Sequence, residues 1–540
     1  MQSERKIPGK FLPIIFAVLL AAGVYIGTRL NSSVIPGKAS FSAKKNQLNK
    51  LTDVFNYIEQ EYVDTLNEKK LVDYSIEKLL QNLDPHSAYI PVEDLQAANE
   101  QLEGNFEGIG IEFHIQQDTI MIVSTISGGP SEMVGLHPGD RIVKVNQKNV
   151  AGIGITNDDV FKYLRGPSET KVNISVLRRG NSKLIDYTIT RGKIPLNSLD
   201  IAYMVDSTTG YIKLNRFSAT TYNEFSSAMK KLKDEGMKEL IFDLSGNPGG
   251  YLDAAIQIAD EFLPAEKLIV YTLGKSRPKT VYNATAKGDF ETGKVAVIID
   301  QGSASASEII AGALQDWDRA TIIGRRSFGK GLVQEQTVFN DGSALRLTIA
   351  RYYTPTGRSI QKAYNIGYEA YNNELFERFR HGEMEYSDSI KIADTLKFKT
   401  PGGKTVYGGG GIMPDVFIPL DTSLNSEYFN NLFRLGLISQ FAYNYVDENR
   451  TQLSNFHDLK LFRQHFSITD ELLEKFIAFA DKNGVKKDNA GISISEKLIR
   501  TYLIANIARQ LFGNEGFYPV LAEVDSAFLK AVEIIKSSAE

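Results

Sequence analysis

Val295-Ala296-Val297-Ile298-Ile299-Asp300-Gln301-Gly302-Ser303-Ala304-Ser305-Ala306-Ser307-Glu308 reads as a buried strand, a turn of small residues and the first turn of a helix. The helix that follows carries Ile309, Ile310, Ala313, Leu314 and Trp317 at helical spacing, so the turn sits on a rigid element. The same alternation repeats on either side. Apolar strands are expected at 240–244, 268–272 and 321–323, separated by helices at 222–234, 252–262 and 307–318. That order is the pattern of βαβ units and a mainly parallel sheet.

Upstream, residues 104–192 change to short β-branched runs at 109–115, 120–126, 141–145, 172–178 and 184–189, with one helical stretch at 157–164. A small β-rich domain is indicated. Between 46 and 103, Val54, Phe55, Ile58 and Tyr62, then Leu71, Ile76 and Leu80, follow helical spacing, interrupted at Asp84-Pro85. After the core, amphipathic helices are expected at 429–445, 470–482, 495–512 and 520–535, with Gly513 as a stop. The fold class is a multidomain α/β protein: a helical region 46–103, a β-rich domain 104–192, an α/β core 193–421 and a C-terminal helical domain 422–540. Glycines 408–411 form a flexible turn, since no lysine and Ser/Thr follow them as a phosphate loop needs.

Arg5, Lys6 and Lys10 precede an uncharged apolar run at 11–27, which reads as a membrane anchor with the N-terminus in the cytoplasm and the body outside. Ala21-Ala22-Gly23 offers the alternative of a cleaved signal, which would leave the protein periplasmic or secreted. The polar stretch 28–45 reads as a tether between this segment and the folded body. A formal charge of −4 with acidic and basic residues intermixed leaves no basic face, which excludes nucleic acid as the expected partner. The absence of cysteine excludes disulfides, thiol nucleophiles and thiolate metal sites.

The start of the helix after Ser305 has about four unpaired N–H groups and a positive dipole end, so it can stabilise an oxygen that develops negative charge. Taken alone, the same residues are equally a capped helix start. A serine nucleophile needs a base. None of His86, His114, His137, His381, His457 and His465 lies beside a small-residue turn of the core, so a Ser-His-Asp triad is unsupported. Lysine is the other candidate. In Phe328-Gly329-Lys330-Gly331 the glycines let the backbone pass close to another element, and burial would lower the lysine's pKa toward a working base. Gln334, four residues on, can orient the amine without adding a counter-charge that would raise that pKa. The turn Asp243-Leu244-Ser245-Gly246-Asn247-Pro248-Gly249-Gly250 lies between a strand and a helix and offers a second oxyanion donor at Gly249 or Gly250.

Together these three segments resemble the C-terminal processing peptidases, or tail-specific proteases. The resemblance covers about 50–420 and implies Ser305 as nucleophile, Lys330 as base and Gln334 as third catalytic residue, with the oxyanion held by Ala306 N–H and Gly249 or Gly250 N–H. Asp316 matches an acidic position read as structural support. Two residues depart from the family: Ser245 stands where it has arginine and Asp300 where it often has asparagine. Family members carry a PDZ domain before the core, and 104–192 looks like one. Gly108-Ile109-Gly110-Ile111 is similar to the loop that receives a peptide's terminal carboxylate, so a ligand tail would add as a strand along 109–113. The resemblance also implies that Arg165, after the helical stretch 157–164, couples tail occupancy to the protease site. The expected partners are proteins or peptides with free C-termini, the membrane through the N-terminal segment, and a second copy of the chain if the protein is a homo-oligomer. No metal or organic cofactor is implied. The rival reading is a non-catalytic scaffold whose PDZ-like groove captures tails.

Overall fold

The computed structural model describes residues 42–390 and 394–537. The apolar run 11–27 and its alternative cleavage site lie outside them. Among the described residues no helix is long and apolar enough to cross a membrane. The chain divides into two units, Met1–Ser75 and Ile76–Glu540. In the first, the helix Ser42–Glu61 begins inside the stretch read as a tether, and the helix Glu68–Gln81 starts after it.

The second unit is built on a six-stranded sheet. Leu199–Met204 runs antiparallel to Thr209–Leu214, and Glu239–Asp243, Lys294–Ile299, Thr321–Gly324 and Val416–Phe417 follow in parallel. The strand Lys294–Ile299 sits in the middle and is buried on both faces. Val295, Val297 and Ile299 join the core beneath the helices Thr221–Asp234, Leu252–Asp260 and Ala306–Asp316. Ala296 and Ile298 face the opposite side, where Phe528, Ala531 and Ile535 of the last helix, Ser526–Ser537, cover the sheet. A continuous apolar run is what such a double-faced position requires.

Two expectations about the core are corrected. The strand Leu268–Leu273 is not part of the parallel sheet; it pairs antiparallel with Ala344–Tyr353 in a second sheet that also holds Ala88–Ile90, Thr280–Asn283 and Leu332–Val338. An apolar run between two helices says that a strand is buried and does not say which strand it pairs with. The helical region 422–540 is likewise shared between two cores. Helices from Glu427–Arg434 to Asn489–Phe512 enclose their own core, while the last helix packs on the six-stranded sheet. The expected helix at 429–445 is broken into Glu427–Arg434 and Leu437–Glu448, because Gly436 takes a left-handed φ of 65°.

The β-rich domain is a sheet of Ile111–Ile115, Ile120–Thr125, Arg141–Val145, Lys171–Leu177 and Ile185–Thr190, with Lys148–Asn149 added at one side. All its pairings are antiparallel. Its helix Asn157–Leu164 starts in a capping box, with Thr156 Oγ1 accepting from Asp159 N–H and the Asp159 carboxylate accepting from Thr156 N–H. A short helix, Pro130–Met133, escapes sequence periodicity because four residues make barely one turn. The ribbon of Asn105–Gly108 with Gly192–Pro195 joins this domain to the core. The helical bundle also touches it, through Arg179 with Asp447 and Gln116 with Asn444.

Candidate active site

Ser305 stands immediately before the helix Ala306–Asp316 with φ 53° and ψ −109°. A non-glycine residue placed there costs of order 1–3 kcal/mol and persists only where its surroundings impose it. Those surroundings are visible. Ser305 N–H donates to Glu308 Oε2 at 2.8 Å. The Asp243 to Gly250 turn packs directly on the serine, so that a Cβ on Gly249 would lie 2.8 Å from Ser305 Cβ. Asn247 holds the two turns together, its carbonyl accepting from Ala304 N–H and Ser307 Oγ, each at 2.9 Å.

The two departures from the family pattern have partners. Asp300 Oδ1 accepts from the N–H groups of Gly246, Gly302 and Ser303, tying one turn to the other. Ser245 Oγ accepts from Lys213 Nζ at 2.8 Å, and Lys213 also pairs with the buried Asp243. Asp316 is fully buried against Arg358 at 2.7 Å and accepts from Thr356 N–H and Oγ1, so it braces the helix from the end remote from Ser305.

Glu308 lies in the first turn of the helix Ala306–Asp316. It is completely buried, and its carboxylate accepts four hydrogen bonds: from Ser305 N–H, Ser327 Oγ, Gly329 N–H and Lys330 N–H, at 2.5–2.9 Å. One side chain thus clamps the serine segment to the lysine segment. Burial pushes its carboxyl pKa up, and the four donors, which favour the charged form, pull against that shift. Tyr352 adds a second tie, donating to Lys330 C=O at 2.6 Å with Ser305 C=O 3.1 Å away.

Lys330 lies just before the strand Leu332–Val338, and Gln334 lies on it. Lys330 Nζ donates to Gln334 Oε1 at 3.0 Å. Burial lowers the lysine's pKa, and repulsion from Arg346 lowers it further, against weaker support from Glu308 and Asp84. Ser305, Ala306, Lys330, Gln334, Gly249 and Gly250 all line one cavity of about 500 Å³. No hydrogen bond joins Ser305 Oγ to Lys330 Nζ among the described residues; the two face the same space. Between the alternative glycine donors the geometry discriminates. Gly249 N–H is taken by Asn247 Oδ1 at 2.9 Å, whereas Gly250 N–H and Ala306 N–H have no acceptor among the described residues. Gly250 admits no side chain, since a Cβ there would meet Phe217 C=O at 1.9 Å.

In the β-rich domain, Ile111–Ile115 is an edge strand, paired among the described residues only with Ile120–Thr125. A groove of about 690 Å³ runs between it and the helix Asn157–Leu164, lined by Ile111, Phe113, Ile115 and Phe161 among others. The expected strand at 109–115 begins two residues late, at Ile111, because Gly110 has φ 75°. Gly108 ends the neighbouring ribbon opposite Gly192. The Ile109 side chain is 2% exposed and belongs to the domain core, so it offers a ligand only its backbone. Arg165 caps the end of the domain's helix. Its guanidinium stacks over Phe161, 4.7 Å from the ring centre, and over Phe106, and it pairs with Glu100 at 2.6 Å. Glu100 is on the helix Val92–Glu103, whose Asn99 and Leu102 line the cavity shared by Ser305 and Lys330.

Residues 208–368 match the profile of peptidase family S41, and residues 100–177 that of the PDZ domain. Residues 18–94 match the activating protease CtpB N-terminal domain, and residues 428–513 a family of unknown function. The chain is 36% identical over 352 residues to the carboxy-terminal-processing protease of Bartonella bacilliformis, covering 64% of this chain and 80% of that one. It is 35% identical over 356 residues to the carboxy-terminal processing protease CtpA of Bacillus subtilis, covering 65% and 75%. Among solved structures, a photosystem II D1 C-terminal processing protease aligns at 24% identity with a TM-score of 0.37, over 69% of this chain and 87% of that one.

Proposed function

Because the chain belongs to peptidase family S41 as a carboxy-terminal processing serine protease with a PDZ domain, we propose that Ser305 is its nucleophile, Lys330 the base and Gln334 the residue that orients the base. The observation that carries this reading is the shared cavity. It holds a serine in a constrained conformation at a helix N-terminus and a buried lysine whose amine donates to a neutral amide. Ser305 Oγ attacks the scissile carbonyl carbon while its proton passes to neutral Lys330 Nζ. The tetrahedral oxyanion is held by Ala306 N–H and Gly250 N–H. Collapse returns the proton from Lys330 to the leaving amine, and water then hydrolyses the Ser305 ester with Lys330 again as base. Membership of a peptidase family sets aside the inactive scaffold.

Cleavage therefore depends on an uncharged Lys330. A lysine whose folded pKa is lowered becomes neutral at a lower pH than an ordinary one. The expected profile of kcat rises with pH through a limb centred below the ordinary lysine value of about 10.4. A rising limb centred at that ordinary value would remove Lys330 as the base.

We further propose that the PDZ groove selects substrates by their C-termini. The support is a free strand edge beside an apolar groove, which suits a tail that adds as a strand with its carboxylate at the Gly108 to Ile111 loop. Phe161 lines that groove and carries Arg165, which grips Glu100 on the helix that lines the catalytic cavity, so Arg165 is the proposed link between tail binding and catalysis. Amidation of a peptide substrate's C-terminus is expected to lower kcat/KM roughly tenfold, the cost of charge-assisted hydrogen bonds to a carboxylate. Equal cleavage of the amide and the free acid would identify an ordinary endopeptidase. The basic residues ahead of the apolar run 11–27 support a protein anchored in the inner membrane with its body on the periplasmic side.

A further inference from the structure

Gln334 orients Lys330 only if its amide faces the right way. An amide has an acceptor end and a donor end. If Oε1 faces the lysine, the amine donates one hydrogen to it and keeps its lone pair for the serine proton. If the NH2 faces the lysine, it donates into that lone pair, and the base is consumed. The strand that carries Gln334 does not decide between the two. The decision comes from the Asp84-Pro85-His86-Ser87 turn, in which His86 lies 248 positions away in sequence: Gln334 Nε2 donates to the His86 backbone carbonyl. A carbonyl accepts and never donates, so the amide nitrogen must face His86, and Oε1 must face Lys330.

The turn is built to hold that carbonyl still. The Asp84 carboxylate accepts from His86 N–H at 2.9 Å, Ser87 N–H at 2.8 Å, Ser87 Oγ at 2.6 Å and Thr348 Oγ1 at 3.0 Å. Thr348 N–H donates in turn to Ser87 Oγ, and Thr348 is the cross-strand partner of Gln334. The turn is therefore docked on the same strand pair that carries the amide. On its other side the His86 ring bonds Tyr371 OH through Nε2 at 2.6 Å and packs edge-on to Phe328 and Tyr371. Burial, with repulsion from Lys330, brings the imidazole's pKa down to about 4, so the ring is uncharged at neutral pH.

We propose that the Asp84 to Ser87 turn is a positioning element for the base: through the His86 carbonyl it fixes the orientation of the Gln334 amide and so directs the Lys330 lone pair toward Ser305. This rests on the reading of Ser305, Lys330 and Gln334 given above. None of the turn's side chains touches the reacting atoms.

The test is a double-mutant cycle on full-length enzyme with an unstructured peptide, measured on the high-pH plateau where Lys330 is neutral and loss of the Asp84 charge has no bearing on its protonation. Asp84→Ala and the charge-neutral Ser87→Ala are each combined with Gln334→Ala. Each turn variant is expected to lower kcat about 10- to 100-fold with KM unchanged, as misplaced catalytic groups do, and to cause no further loss once Gln334 is gone. Ser87→Ala keeps the Asp84 carboxylate and serves if Asp84→Ala does not fold. Equal losses in both backgrounds, or wild-type kcat in the turn variants or in Gln334→Ala, would overturn the inference. The underlying reading fails separately, if Ser305→Ala or Lys330→Met retains activity.

Discussion

Ser305→Ala and Lys330→Met are each expected to reduce kcat on an unstructured peptide by about 10⁴-fold or more, the scale seen when a nucleophile or its partner is removed from a unit that acts together. The two losses should not multiply, because without the serine the lysine has no proton to accept. The stabilities should differ. Ser305→Ala removes one hydroxyl and leaves the Glu308 clamp in place. Lys330→Met replaces a buried amine by an apolar chain of similar length. The folded lysine's pKa is lowered, so between the folded and unfolded values the unfolded chain binds more protons, and stability rises with pH through that window. Below the folded value the whole penalty of a buried ammonium is present. The methionine variant should therefore melt at a higher temperature than wild type at neutral pH, which calorimetry with matched peptide assays would check. Retained cleavage in either variant would end the Ser-Lys reading.

Glu308→Ala should cost both stability and activity. Removing the carboxylate leaves Ser305 N–H, Ser327 Oγ, Gly329 N–H and Lys330 N–H without their acceptor in a fully buried site. Each stranded donor costs about 1–3 kcal/mol, less whatever water entering the cavity recovers, so a net loss of about 3–5 kcal/mol is expected. The activity loss has a separate cause. The turn holding Ser305 in its costly conformation is freed from the segment carrying Lys330, and the two groups lose their common frame. Glu308→Gln should rescue part of the stability and little of the activity, since its NH2 confronts N–H groups that need an acceptor. Denaturant unfolding with kcat measurement separates the two effects. Wild-type unfolding in Glu308→Ala would contradict the clamp.

The alternating strands and helices around 295–308 were legible because burial writes itself into apolar runs and helical spacing. The edge-strand domain at 104–192 was legible for the same reason. Pairing partners were not, and the strand Leu268–Leu273 shows why. Its buried residues suit a parallel or an antiparallel neighbour equally, and only the folded chain brings Ala344–Tyr353 against it. The final helix posed a similar difficulty. Phe528, Ala531 and Ile535 announce a buried face, and nothing local says that it closes the far side of the protease sheet.

Within the site, the residue types for acyl transfer and their spacing could be read along the chain: small residues and Ser305 at a helix start, Lys330 between glycines, Gln334 one helical or two strand repeats further on. Periodicity and turn chemistry are local, and they determined the elements that present these groups. What joins the elements is not local. Glu308 reaches back to the serine's N–H and across to Gly329 and Lys330, and His86 meets Gln334 from 248 positions earlier in the chain. The choice of Gly250 over Gly249 as the free donor likewise depends on where Asn247 points after folding. A sequence specifies which residues prefer burial, turns or helix ends. Hydrogen-bond partners separated by long stretches of chain are set only when packing brings buried donors and acceptors together, because only then does each unpaired group carry its full desolvation cost.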